Sequence, residues 1–178
     1  MKADTLKKVF PIISVTAVVF IAVALLGLTD TVVRSTIERQ KEQKIQRMLY
    51  EIFPSMTEYT LEDDIYMIYS DEAEIGFAFL AVGKGYGGNI DILVGLEDET
   101  TVRGITIVSH LETPGLGARI IESSFTDQFS GVNIADVALR QKGGEIDAIT
   151  GASISSGAVV DAIRATVMEK IKSLENRE

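Results

Sequence analysis

The chain has 178 residues and a net charge of −9, with 17 Lys+Arg against 26 Asp+Glu, one His and no Cys. That acidity argues against a nucleic-acid partner or a protein lying on an anionic leaflet, and the absence of thiols excludes disulfides and cysteine-held iron–sulfur clusters. The length suits one compact domain plus an extra element, and the 46% hydrophobic content includes a stretch foreign to a soluble core.

That stretch comes first. From Val9 to Thr29 there is no charged residue, and at the helical rise such a run spans a bilayer's hydrocarbon layer, longer than the h-region of a cleaved signal peptide. Residues 1–30 are therefore expected to be an uncleaved single-pass transmembrane anchor. Lysines precede the span, and Arg34, Arg39, Lys41 and Lys44 follow it, so the positive-inside count does not decide orientation. Beyond the span Val33, Ile37, Ile45, Met48, Leu49 and Ile52 recur at helical spacing until Phe53-Pro54, which predicts an amphipathic stalk over 31–52 that packs on the following domain or on partner subunits. Residues 1–52 carry +3 and residues 53–178 carry −12, a contrast that sets the remainder apart as one acidic domain, 53–178.

Within that domain, residues 64–69, 75–82, 90–96 and 102–109 read as strands, rich in Ile, Val, Phe, Leu and Tyr between Gly or acidic turns. Residues 118–130 read as short helical turns ending near Gly131, and 145–149 as strand-like. A helix is expected from about Ile154 to Leu174, with Val159, Ala162, Ile163, Val167, Ile171 and Leu174 on its apolar face. The fold class is α+β: an N-terminal transmembrane helix and stalk, then a mostly antiparallel sheet with a C-terminal helix.

Three stretches could carry chemistry. Gly83, Gly85 and Gly88 fit G-x-G-x-x-G, but a strand rather than a helix follows, so the helix end that a dinucleotide's phosphates need is missing and a hairpin turn is the simpler account. His110, the single histidine, cannot build a His-based metal cluster, and at a strand end it is more often a hydrogen-bonded structural residue than a catalyst. Glu112 beside it could fix its tautomer or cap the turn. Thr113-Pro114-Gly115-Leu116-Gly117 joins a residue of fixed φ to two glycines, the makings of a rigid loop, whether a mere turn or a ligand wall. Asp147-Ala148-Ile149-Thr150-Gly151-Ala152-Ser153 runs into the last helix and sets a hydroxyl at a natural anion site. Taken alone, Ser153 is more commonly an N-cap.

Together, these stretches resemble a known family. Residues 147–153 are similar to the flavinylation motif Asp-x-x-Ser/Thr-Gly-Ala-Thr/Ser of the FMN-binding domain found in the G subunit of Rnf ion-translocating electron-transport complexes and the C subunit of sodium-pumping Nqr complexes. His110–Gly117 looks like that family's His-x-Glu-Thr-Pro-Gly-Leu-Gly loop beside the flavin ring, and Gly83–Gly88 its Gly-rich turn. The resemblance implies covalent FMN in a phosphoester on Ser153, with Asp147, Thr150, Gly151 and Ala152 among the cofactor-binding residues, installed by a flavin transferase that recognises Asp147 and Gly151 as part of the motif. His110, Glu112, Thr113, Pro114, Gly115, Leu116, Gly117 and Tyr86 would then lie near the cofactor. It further implies a redox subunit that relays electrons between partner membrane subunits and is not a complete enzyme alone, on the cell membrane with its FMN domain on the extracytoplasmic side. A free-standing flavinylated carrier is the neighbouring alternative. A pilin-like structural protein, the alternative from another class, would show a processing site before the apolar run and usually a Glu early inside it, and the run here holds no acid.

Overall fold

The computed structural model describes residues 40–175, with side chains to 172, together with residues 16, 18–20 and 22. The chain divides into two compact units, Met1–Lys44 and Ile45–Glu178. In the first, residues 16, 18–20, 22 and 40–44 are helical, and Val18, Val19 and Phe20 are exposed. No helix among the described residues is long and apolar enough to cross a membrane; the expected span at 9–29 lies largely outside them.

The second unit is built on one sheet. β1 (Glu58–Glu62), β2 (Ile65–Ser70), β3 (Ala73–Lys84), β4 (Asn89–Leu96), β5 (Thr101–His110) and β6 (Val132–Asn133) pair in sequence order, every pair antiparallel. Helices cover both faces. One face is covered by α1, residues 45–52, and the segment after it, through Leu49, Ile52, Phe53 and Met56 against Ile68, Ala78 and Leu93. On the other, the chain between β5 and β6 makes a 3-10 turn (Gly117–Ile121), a short α2 (Ser123–Thr126) and a second 3-10 turn, whose Phe125 and Phe129 rings meet edge to face in the core. In that same core α3 (Ser153–Glu175) lays Val159, Val160, Ile163 and Val167 among Phe77, Phe79, Ala81, Ile92 and Val94. Burial on both faces explains why β3 and β4 read as near-continuous apolar runs rather than strict alternation.

Phe53 is the pin of the α1 layer. Its ring fills the space left by two glycines: a Cβ at Gly95 would stand 2.8 Å from Phe53 Cε2, and one at Gly76 2.9 Å from Cε1. The Arg103 guanidinium lies 5.1 Å from the ring centroid, and Arg103 Nε–H donates to the Ile52 carbonyl at 3.0 Å, so α1 is fixed by a cation–π contact and a cap as well as by burial.

The α+β class, the four central strands and the last helix agree with the sequence expectation, and Val159, Ala162, Ile163 and Val167 are all buried. Residues 145–149 differ: they form no strand. Ile146 makes one isolated bridge to Leu139, and the backbone there bonds to the turn at 136–140, with Arg140 N–H to Ile146 O at 2.8 Å and Ile146 N–H to Ala138 O at 3.0 Å. The apolar signal comes from Ile146 plugging into the core as a single buried anchor. Two strands lay beneath the sequence signal: β1, an exposed and acidic edge, and β6, only two residues long.

Phe53→Ala is expected to destabilise a fragment beginning at residue 40 by about 3–5 kcal/mol. Urea unfolding measures it, and a loss below about 1 kcal/mol would mean that α1 rests on the sheet without holding it.

Candidate functional site

The three stretches singled out in the sequence meet at one cleft of about 490 Å³, lined by Tyr86, Glu112, Thr113, Leu116, Gly117 and residues 151–155. Tyr86 stands on the β3–β4 turn, closed by Gly85 N–H to Gly88 O at 2.8 Å. The loop after β5 supplies Glu112 to Gly117. The start of α3 supplies the rest.

Glu112 joins them. Its side chain is only 6% exposed; Oε1 accepts from the Gly87 N–H at 2.9 Å, and Oε2 accepts from the Ser155 hydroxyl. Each carboxylate oxygen therefore holds a different stretch, and burial of the group is offset by a donor at each end. The packing around it is tight enough to exclude any side chain. A Cβ on Gly117 would fall 2.3 Å from Oε2 and 2.8 Å from Ser155 Oγ, and one on Gly85 would fall 2.2 Å from Oε1. His110 is tied to the same residue, since its Nδ1 accepts from the Glu112 N–H at 3.2 Å; in the neutral ring the proton then resides on Nε2.

The start of α3 leaves its first N–H groups unpaired among the described residues. Ser153 is its first residue, and the first helical hydrogen bond runs from Ser156 N–H to Ala152 O at 2.9 Å. The N–H groups of Ser153, Ile154 and Ser155 thus precede the ladder, and no acidic residue stands in the first turn. Ser153 does not cap the helix: its hydroxyl is exposed and has no hydrogen-bond partner among the described residues. Ser156 ties the turn into the helix instead, donating to Ala152 O at 3.0 Å and accepting from Ile149 N–H at 3.1 Å. Gly151 takes φ of +81° in that turn, so backbone shape favours glycine there; a Cβ would stand 2.9 Å from Cδ2 of the half-exposed Leu116 side chain, which can move aside.

Asp147 stands apart. It is exposed and held by Arg140, with Nε–H to Oδ1 at 2.8 Å and an Nη2–H to Oδ2 at 3.3 Å, while its own N–H donates to Gln128 Oε1 at 2.7 Å. The hydrogen-bonded Arg140 guanidinium holds the Asp147 carboxyl below the usual carboxylate range and raises Arg140 in turn. Asp147 thus fixes the loop that delivers residues 150–153 and does not line the cleft. Thr150, His110, Pro114 and Gly115 are likewise outside the lining. Ser155, Ser156 and Arg140 are the residues that sequence reasoning missed. Two of them had a signal: hydroxyls at 155 and 156 sit on a helix that is otherwise aliphatic on its buried side, and buried hydroxyls imply partners.

Comparison with known proteins gives this geometry its context. Residues 85–168 match the FMN-binding domain family, a span that takes in every residue lining the cleft. That match marks residues 85–168 as similar to an FMN-binding domain. The chain is 32% identical over 170 residues to the G subunit of the ion-translocating oxidoreductase complex of Methanosarcina acetivorans, covering 88% of this chain and 90% of the relative. It is 28% identical to the protein of that name from Pseudoalteromonas atlantica, covering 81% and 79%. The C subunit of the Na+-translocating NADH-quinone reductase from Parabacteroides distasonis shares the fold, with a TM-score of 0.54 at 23% identity over 61% of this chain and 60% of that one. This chain belongs to the family of G subunits of ion-translocating oxidoreductase complexes.

Two outcomes are expected. Glu112→Ala and Gly117→Ala should each lower stability by about 1–3 kcal/mol, one by orphaning donors and the other by overpacking. The double variant should cost less than the sum, because the new Cβ enters space the carboxylate vacated; additive losses in a thermal-unfolding cycle would show that the two do not share one knot. Asp147, with its lowered pKa, contributes stability above the unfolded carboxylate's pKa, and that contribution disappears as pH falls through the still lower folded value. Asp147→Asn should therefore lose less stability than wild type as pH falls below about 4, measured as midpoint against pH.

Proposed function

We propose that this chain is the membrane-anchored electron-transfer subunit of an ion-translocating oxidoreductase complex, carrying FMN in a phosphoester on Ser153. The observation that carries it is the unpartnered Ser153 hydroxyl at the first turn of α3, opening on a cleft that gathers all three family-like stretches.

The residues fit the group. Free N–H groups and the positive helix end favour a phosphate beside Ser153, and Gly151 and Ala152 leave the backbone bare there. Tyr86, Leu116 and Ile154 line the cleft and are 76%, 48% and 61% exposed, an apolar wall of the kind that holds a flat ring system. Thr113 offers a hydroxyl at the same wall. FMN supplies reversible acceptance and release of electrons; the protein's share is position and electrostatic setting. Glu112 keeps the cleft's three parts in register, Ser156 and Gly151 shape the turn into α3, and the Arg140–Asp147 pair steadies the loop that leads to Ser153.

In this reading residues 1–30 are the anchor, 31–52 the stalk and 53–178 the FMN-binding domain, displayed on the extracytoplasmic side of the cell membrane. The exposure of Val18, Val19 and Phe20 suits contact with lipid, and the burial of Leu49 and Ile52 ties the end of the stalk to the sheet. Partner membrane subunits provide the electron donor, the acceptor and the ion path, since a sequence without cysteine has no thiolate ligands for an iron–sulfur cluster of its own. A flavin transferase completes the protein by recognising the Asp147–Ser153 run.

Expressed with a flavin transferase, the wild-type chain should give a band that fluoresces under ultraviolet light after denaturing electrophoresis. Ser153→Ala should abolish it and Ser153→Thr should keep it. Fluorescence that survives Ser153→Ala would overturn the attachment site.

A further inference from the structure

Glu112 is the buried carboxyl in the cleft wall, and holding the loop does not require its charge. A Gln side chain would serve both partners: its carbonyl accepts from the Gly87 N–H, and its NH2 donates to the Ser155 hydroxyl, which can rotate to accept. The carboxylate therefore adds something that an amide would not, a fixed negative charge in a poorly hydrated wall. Resting on the FMN reading above, we propose that the Glu112 carboxylate sets the redox poise of the cleft, lowering the reduction potential of the bound flavin and coupling its reduction to proton uptake.

The electrostatics follow from charge and burial. Full reduction adds two electrons from a reductant to the flavin, with two protons from water when the neutral reduced form results and one when its anion results. A carboxylate that is 6% exposed is screened far less than a surface charge. It opposes added negative charge, so the reduced anion is disfavoured, the potential falls, and the anion's protonation moves to higher pH. The positive end of α3, whose first turn donates the Ser155 hydroxyl to Oε2, offsets part of it. α3 carries no charged residue from Ser153 until Asp161. Tyr86 lines the cleft, and His110 Nδ1 accepts from the Glu112 N–H. Of the cations in the adjoining segments, Lys84 at the end of β3 is exposed, and Arg119 is paired with Glu122 at 3.3 Å.

The test is potentiometric titration of the flavin-loaded full chain across pH, alongside free FMN in the same buffer. In wild type the change of slope that marks proton loss from the reduced flavin should lie at higher pH than in free FMN. Glu112→Gln should raise the potential, move that change of slope to lower pH, and leave covalent fluorescence and thermal midpoint nearly unchanged; Glu112→Asp should keep the potential low. A loaded Gln variant with the wild-type potential and slope would overturn the role of the charge while leaving the flavin site intact, as would a wild-type change of slope at or below that of free FMN, a comparison independent of whether the variant folds. A wild-type chain that acquires no flavin from an active transferase would overturn the FMN reading itself.

Discussion

Two hydrogen bonds to one buried carboxylate hold the cleft together. Gly87 lies on the β3–β4 turn, Ser155 on the first turn of α3 and Glu112 on the loop after β5, and the Glu112 oxygens reach the first two from the third. Residues 25 and 43 positions apart in the chain are thereby fixed within a hydrogen bond of each other. A buried charge tolerates this only if both its oxygens are served, and the glycines at 85 and 117 follow as a consequence, because any larger residue would occupy the carboxylate's place. Glycine in these motifs is thus a matter of room for Glu112 as much as of backbone shape.

The sheet makes that meeting possible. A meander places the β3–β4 turn and the end of β5 at one end of the sheet, because Ile90, just past the turn, pairs with His110. α3 must lie along β3 to bury Val159, Ile163 and Val167, and it starts at the same end. On the other face α1 is pinned by Phe53, Arg103 and the glycines beneath the ring. One layer therefore builds the cleft while the other braces the sheet from behind.

Division of labour inside the cleft parallels its chemistry. The α3 end offers N–H groups and a free hydroxyl, suited to a phosphate; the loop and Tyr86 offer apolar surface, suited to a ring. A cofactor tethered at Ser153 on the extracytoplasmic side, both as proposed, would not be lost to a compartment with no pool to refill it. The wall that Glu112 provides would then govern how readily the tethered group takes electrons.

What the sequence determined was local: the spacing of apolar residues in β2 to β5 and α3, the turn chemistry between them, and three short motifs whose order resembles a family. These are legible because each depends on neighbours within a few residues. The apolar residues at 145–149 misled for the same reason, since only the filled core shows that Ile146 is a plug and that the backbone there bonds to 136–140. β1 and β6 escaped because an exposed acidic edge and a two-residue strand carry almost no hydrophobic pattern. The site divided likewise. Ser153 and the Thr113–Gly117 loop stood out only through their resemblance to the family's motifs, and Glu112's two partners, the pairing of Asp147 with Arg140 and the bonds of Ser155 and Ser156 depend on how separate segments are brought together. Only tertiary structure decides those, because which hydroxyl meets which carboxylate depends on how a helix is laid across a sheet and not on the residues beside either one.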